Sequence, residues 1–265
     1  MEFLHNHEFE LNLEKGAFFW KYIDVVKLLF LVTRKKLFFN RLDQFEDPLE
    51  GMTDEDQANL HTWGGMPEPE KNPALPEEVR IALPQLKKSN LDKIDKQTLA
   101  SQKMQFANCW FHGKGESLAM WNLYSNSQGV ALKVDPQKLF TYIKQKVCEI
   151  DHESNFDVVT YGFVEYRPIT PYDFLNRSSL KHIFNTYKKD LSYSHENEFR
   201  FTAVLKQDKV DDSIFGFELP FEDILSEIEI IGHPKQPGWI REILNENIKA
   251  NKINNKIIPS KIKLR

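Results

Sequence analysis

Two carboxylates, one residue apart, stand immediately before an alternating apolar run in Ser194-His195-Glu196-Asn197-Glu198-Phe199-Arg200-Phe201-Thr202-Ala203-Val204-Leu205. Phe199, Phe201, Ala203 and Leu205 alternate with Arg200, Thr202 and Val204, the period of a half-buried strand entered from a polar loop. Side chains at i and i+2 of an extended backbone point the same way. Glu196, Glu198 and Arg200 are therefore expected in one row on one face of that strand. Such a row suits either charge-relay chemistry or a structural ion network.

The rest of the chain must supply a sheet for this strand. Apolar-aromatic runs predict strands at Phe18–Tyr22, Leu37–Phe39, Gln105–Phe111, Gly129–Val134, Val158–Tyr166, Ile214–Leu219 and Ile228–Ile231, with an edge strand in the tail from Ile257. Helical spacing is read over Ile23–Thr33, Leu118–Ser125, Asp135–Val147 and Trp239–Ile248, and in the basic segment Lys181–Lys189. Ser117 is placed to cap the second of these helices. Strands and helices mix without regular βαβ spacing. The expected fold is α+β, a single domain over 1–265 with a mixed, largely antiparallel sheet flanked by helices. Residues 52–75 are acidic and rich in Pro and Gly, the least structured stretch, with Trp63-Gly64-Gly65 at a loop tip, and 76–104 look helical with a break near Pro84. Together, 52–104 read as a peripheral helical insert, a lid or cap.

Composition narrows the function classes. A formal net charge of −4 gives no footprint for generic nucleic-acid binding, although Lys and Arg cluster at 33–36, 181–189 and in the tail. Two cysteines, Cys109 and Cys148, exclude a disulfide framework or an all-Cys zinc site and fit a reducing compartment. Met1–Glu10 lacks the pattern of a signal peptide, and Val25–Val32 is too short to span a bilayer. A cytoplasmic protein with no membrane partner is expected.

Candidate chemistry is sparse. Gly113-Lys114-Gly115 lacks the length of a phosphate loop. His5-Asn6-His7-Glu8 has metal-ligand residue types, but surface histidines are the expected reading, and no metal is assigned. Cys109 with His112 lacks a third, orienting group, and a buried strand cysteine is expected. A nuclease is disfavoured because acids with metal spacing are missing, Asp43, Asp47 and Glu50 notwithstanding.

Five features occur together and in order: Trp20-Lys21-Tyr22; Phe45-x-Asp47-Pro48-x-Glu50; Cys109-Trp110 followed by Glu116-Ser117-x-x-Met120-Trp121-x-x-Tyr124; Gly129-Val130-Ala131; and Glu196-x-Glu198-x-Arg200. The ordered set resembles the bacterial family catalogued as domain of unknown function 2971, over roughly residues 18 to 260. More distantly, it resembles the mono-ADP-ribosyltransferase plan. There, a first strand bears a basic residue, a central strand–helix bears Ser or Tyr, and a late loop–strand bears Glu-x-Glu. The sequence departs from that plan in having Lys21 where the plan has Arg or His, and in lacking a Ser-Thr-Ser triplet.

The resemblance implies NAD as substrate, consumed without a metal. Breaking the nicotinamide–ribose bond develops an oxocarbenium ion that an adjacent carboxylate stabilises. On that plan Glu198 holds the ribose hydroxyl and the charge, with Arg200 beside it. Glu196 orients or deprotonates the acceptor. Tyr22 and Trp121 stack on nicotinamide, Ser117 and Tyr124 line the site, and Lys21 or Arg41 neutralises pyrophosphate. The expected role is a toxin or antiphage effector, with protein, nucleic acid or water as acceptor. The alternative is a non-catalytic regulatory domain whose aromatic–acidic cleft binds a nucleotide or a partner protein. The transferase reading requires these groups to converge on one cleft large enough for a dinucleotide.

Overall fold

The computed structural model describes residues 2–5, 13–66, 68–150, 156–167 and 186–263. The histidine-bearing start beyond His5 and the first part of the basic segment 181–189 lie outside them. In chain order the elements are β1 (Glu2–His5), β2 (Phe18–Ile23), α1 (Val25–Arg34), β3 (Lys36–Arg41), α2 (Asp54–Gly64), α3 (Glu77–Met104), β4 (Gln105–Gly113), α4 (Leu118–Tyr124) and β5 (Val130–Val134). Then come α5 (Pro136–Ile150), β6 (Phe156–Phe163), β7 (Glu165–Arg167), β8 (Lys188–Asp190), β9 (Glu198–Leu205), β10 (Gly216–Pro220), β11 (Glu229–Gly232), α6 (Gly238–Ala250) and β12 (Ile257–Pro259).

Ten of the described strands form one sheet in the order β1-β6-β9-β4-β2-β5-β11-β12, from which β3 and β10 branch beside β4. The β1–β6 and β11–β12 pairs are parallel and the others antiparallel, so the fold is α+β with a mixed, largely antiparallel sheet. β7 and β8 make a separate parallel pair. No helix among the described residues is long and apolar enough to cross a membrane.

The strand alternation sorts the sheet into two faces. Phe19, Leu132, Trp110, Phe199 and Phe201 belong to the main core, with Leu28, Leu139, Ile143, Leu244 and Ile248 from α1, α5 and α6. The opposite face carries a smaller core in which Trp20, Tyr22, Ala131 and Ile231 meet Met120 and Trp121 of α4. β9 is the most deeply buried strand, and Glu198, Arg200 and Thr202 are buried along with its apolar residues. A polar row enclosed on the second face is the feature that the fold must neutralise.

Three local expectations are corrected. Residues 54–64 form a helix, because the Thr53 hydroxyl caps it by accepting from the Asp56 amide at 3.0 Å and no apolar stripe is needed to start it. α3 runs through Pro84 as one helix of 28 residues, without the expected break. Lys188 and Lys189 are extended in β8, where they pair with β7, and are not helical. The insert is also fastened to the body: buried Gln102 of α3 donates to the Glu50 carbonyl at 2.8 Å and the Pro48 carbonyl at 3.2 Å.

Candidate functional site

Glu198 opens β9, and its register sets a row across the sheet, opposite Phe111 of β4, which in turn faces Trp20 of β2. Arg200 lies in the next row with Cys109. Glu196 reaches the same place by a different route. It ends a 3-10 turn over Leu191–Glu196, and Asn197 at φ 37° reverses the chain in the left-handed region before the strand starts. The turn, rather than strand periodicity, aims Glu196. The expected extended Glu-x-Glu row is corrected on that point.

Around these residues the chain assembles three carboxylates and two cations. Arg200 donates from Nε and Nη2 to Glu198 Oε2 at 2.9 and 2.5 Å. Its Nη1 donates to Glu50 Oε1 and, at 2.6 Å, to the Thr186 carbonyl. Lys189 Nζ stands 2.5 Å from Glu196 Oε2, 3.9 Å from Glu198 Oε2 and 4.0 Å from Glu50 Oε2. The Tyr124 hydroxyl donates to Glu196 Oε1, and the Glu198 amide donates to the Tyr166 hydroxyl at 2.8 Å. Arg200 is wholly enclosed, Glu50 and Glu196 are 1% and 2% exposed, and Glu198 and Lys189 are 6% and 8% exposed. Tyr124, at 41%, is the open edge.

In a medium this dry the partners decide the charges. Burial pushes the Glu198 carboxyl up, but Arg200 and Lys189 outweigh it and hold the pKa below the usual carboxylate value. Burial dominates at Glu50 and raises its pKa despite Arg200 and Lys189. At Lys189 burial is opposed by Glu198, Glu50 and Glu196, and the pKa lies above the usual lysine value. Burial and then the neighbouring Glu198 push the Cys109 thiol up to about 12, so it is no thiolate nucleophile. His112 packs between Phe19 and Phe163, in contact with the main core. No Cys–His dyad forms.

The α4 residues form the second half of the site. The Ser117 hydroxyl caps α4 by accepting from the Met120 amide at 3.3 Å, and its own amide donates to the Tyr22 hydroxyl at 2.7 Å. Trp121 is fully buried, edge-on to Tyr22 at 4.9 Å and to His233 at 5.1 Å. Its indole N–H donates to Glu116 Oε2 at 3.1 Å, a carboxylate that also accepts from Ser260 and the Lys261 amide. Tyr22 and Trp121 thus build the small core beneath Tyr124, with their ring faces enclosed.

Two of the predicted residues stand apart. Lys21 alternates with Trp20 and Tyr22 and turns to the other face, into the fork where β4 leaves β2 for β3. There it donates to the Cys109 carbonyl at 2.9 Å and lies 3.4 Å from Asn108 Oδ1, and burial lowers its pKa to about 8. Arg41 clamps Asp43 at 2.6 and 2.8 Å and donates to the Asp211 and Ile214 carbonyls, away from the carboxylates. Conversely, Glu50, Lys189 and Tyr166 join the cluster without having been assigned a site role from residue pattern. Glu50 is visible within the Asp-Pro-x-Glu motif, whereas Lys189 is one lysine in a basic run.

Among the described residues no group of three or more His, Cys, Asp or Glu side chains is arranged to hold a metal ion. A cavity of about 380 Å³ lies between α2 and α3, lined by Asp56, Trp63, Lys93 and neighbours, on the insert rather than at the carboxylates. No curated protein and no solved structure matches the chain, and the transferase plan gains no support from these comparisons. Residues 120–201, the stretch that carries Tyr124, Lys189, Glu196, Glu198 and Arg200, match the model of a family described as Protein of unknown function (DUF2971), a shorter span than the motif order suggested.

Proposed function

We propose that the carboxylate cluster is the reactive centre of an enzyme that consumes NAD, cleaving the nicotinamide–ribose bond and passing ADP-ribose to an acceptor. The observation that carries this reading is the meeting of Tyr124, Glu196, Lys189 and Glu198, where residues from distant parts of the chain hold two carboxylates in a nearly enclosed site beside a half-exposed tyrosine. As the bond breaks, its electron pair leaves with neutral nicotinamide and positive charge grows on the ribose. A fixed carboxylate in a dry site stabilises that charge far better than water does. Glu198, kept ionised by Arg200 and Lys189, supplies it. On this reading Glu196, bonded to Lys189 and to Tyr124 at the open edge, takes a proton from the acceptor. Protein, nucleic acid and water all remain candidates for that acceptor.

The double engagement of Glu198 Oε2 by Arg200 favours a second reading, a non-catalytic regulatory domain that binds a nucleotide or a partner protein above a structural ion network. Calorimetric titration with NAD separates the two from a third outcome. Binding accompanied by nicotinamide release supports the enzyme. Binding without turnover supports the regulatory domain, and no binding removes NAD from both.

A further inference from the structure

Among the described residues, the cluster carries an unbalanced charge. Glu50, Glu196 and Glu198 against Lys189 and Arg200 leave one formal negative charge in a volume where no member is more than 8% exposed. Both Glu196 oxygens are engaged, by Tyr124 and Lys189. Glu198 Oε2 takes two N–H groups from Arg200. Glu50 differs: Oε1 accepts from Arg200, whereas Oε2 is buried without a hydrogen-bond partner among the described residues, with Lys189 Nζ 4.0 Å away.

Leaving a neutral polar atom unpaired in a protein interior is costly, and leaving an oxygen of an ionised carboxylate unpaired there costs more. The group relieves the difference by taking a proton. Glu50 is also held so that it cannot swing out to find water. Its amide donates to the Asp47 carbonyl at 3.1 Å, Gln102 grips its carbonyl, and Gly51 follows at φ 69°. A Cβ at Gly51 would lie 2.8 Å from Leu42 Cδ1, so the turn is tight as well as left-handed. The charged groups that face or couple to Glu50 come from four places: Arg200 and Glu198 of β9, Lys189 of β8, Glu196 of the turn before β9, and the thiol of Cys109 in β4.

We infer that Glu50 is the proton-bearing member of the site, a neutral carboxylic acid at neutral pH that makes the resting cluster electrically balanced. Its function rests on the NAD reading above. When positive charge enters beside Glu198, the Glu50 O–H bond breaks, the proton appears in the buffer, and the carboxylate that forms adds its charge to the site. Glu50 is thus a positioning residue that acts through Arg200 and Glu198. Burial raises its carboxyl pKa, in keeping with this assignment.

The test is infrared difference spectroscopy at pH 7 between wild type and Glu50→Gln. The assignment predicts a carboxylic-acid C=O band in wild type that Glu50→Gln loses, with the melting temperature nearly unchanged because Gln imitates the neutral acid. Absence of the band overturns it. If Glu50→Gln does not fold, carbon-13 NMR of Glu-labelled wild type decides the same point: one carboxyl must stay protonated at pH 7, and a fully ionised set contradicts the inference. NAD titrations in buffers of different ionisation enthalpy then read proton release. A band without NAD binding leaves Glu50 standing and removes the NAD reading. NAD binding with no band and no proton release does the reverse.

Discussion

Arg200→Met removes a guanidinium with zero exposure and replaces it with an unbranched apolar chain of comparable length. Four hydrogen bonds lose their donor, counting Nε and Nη2 to Glu198, Nη1 to Glu50 and Nη1 to the Thr186 carbonyl. Among the described residues Glu198 is left with Lys189 as its nearest cation, at 3.9 Å. Breaking a buried ion pair from one side costs about 3–5 kcal/mol, because the surviving charge stays desolvated. For a chain of this size about 2–4 °C of melting temperature accompanies each kcal/mol, so the expected fall is about 6–20 °C. Circular dichroism melting, checked by urea denaturation, measures it. The triple change Arg200→Met, Glu198→Gln, Glu50→Gln should recover most of the loss, since a buried network replaced as a whole by neutral groups is often no worse than the original. An Arg200→Met protein within about 1 kcal/mol of wild type would show that the network is not buried as described.

Two smaller perturbations probe the rim and the fork. Tyr124→Phe deletes the hydroxyl on Glu196, and because the ring is 41% exposed the loss should be about 1 kcal/mol by melting, with a larger effect on nicotinamide release than on stability. Lys21 has its pKa lowered from 10.5 to about 8 by burial, so the folded state binds its proton less readily than the unfolded chain does. Wild type should therefore gain stability as pH rises from about 8 toward 10.5, a gain that Lys21→Met lacks; equal slopes for both proteins would contradict the placement of Lys21 in the fork.

Much of the sheet could be read from residue order alone, because each strand carries its own period. Phe199 to Leu205 alternates, and Phe18 to Tyr22 and Gln105 to Phe111 are aromatic-rich enough to read as strands, and the sheet pairs all three. α2 escaped because it has no apolar stripe and starts from Thr53 and a run of acids that resembles a loop. Two site residues escaped for another reason. Glu50 meets Arg200 across 150 positions, and Lys189 meets Glu196 only because β8 and the following turn fold back on one another. Local pattern does not encode such meetings. Glu196 shows the opposite failure: it belongs to the cluster as expected, yet Asn197 at φ 37° puts it there and strand alternation does not.

Release of nicotinamide by purified protein, compared between wild type, Glu198→Gln and Glu196→Gln, tests the central claim most directly. Glu198→Gln keeps the size of the side chain and removes the charge on which the transition state depends, so turnover should fall about a hundredfold or more while NAD binding changes little. Glu196→Gln should weaken transfer to an acceptor while slow hydrolysis of NAD persists. A wild-type protein that neither binds nor consumes NAD, together with a Glu198→Gln variant that is simply less stable, would contradict the claim and leave the cluster as an ion network that holds β8, β9 and the Glu50 turn together.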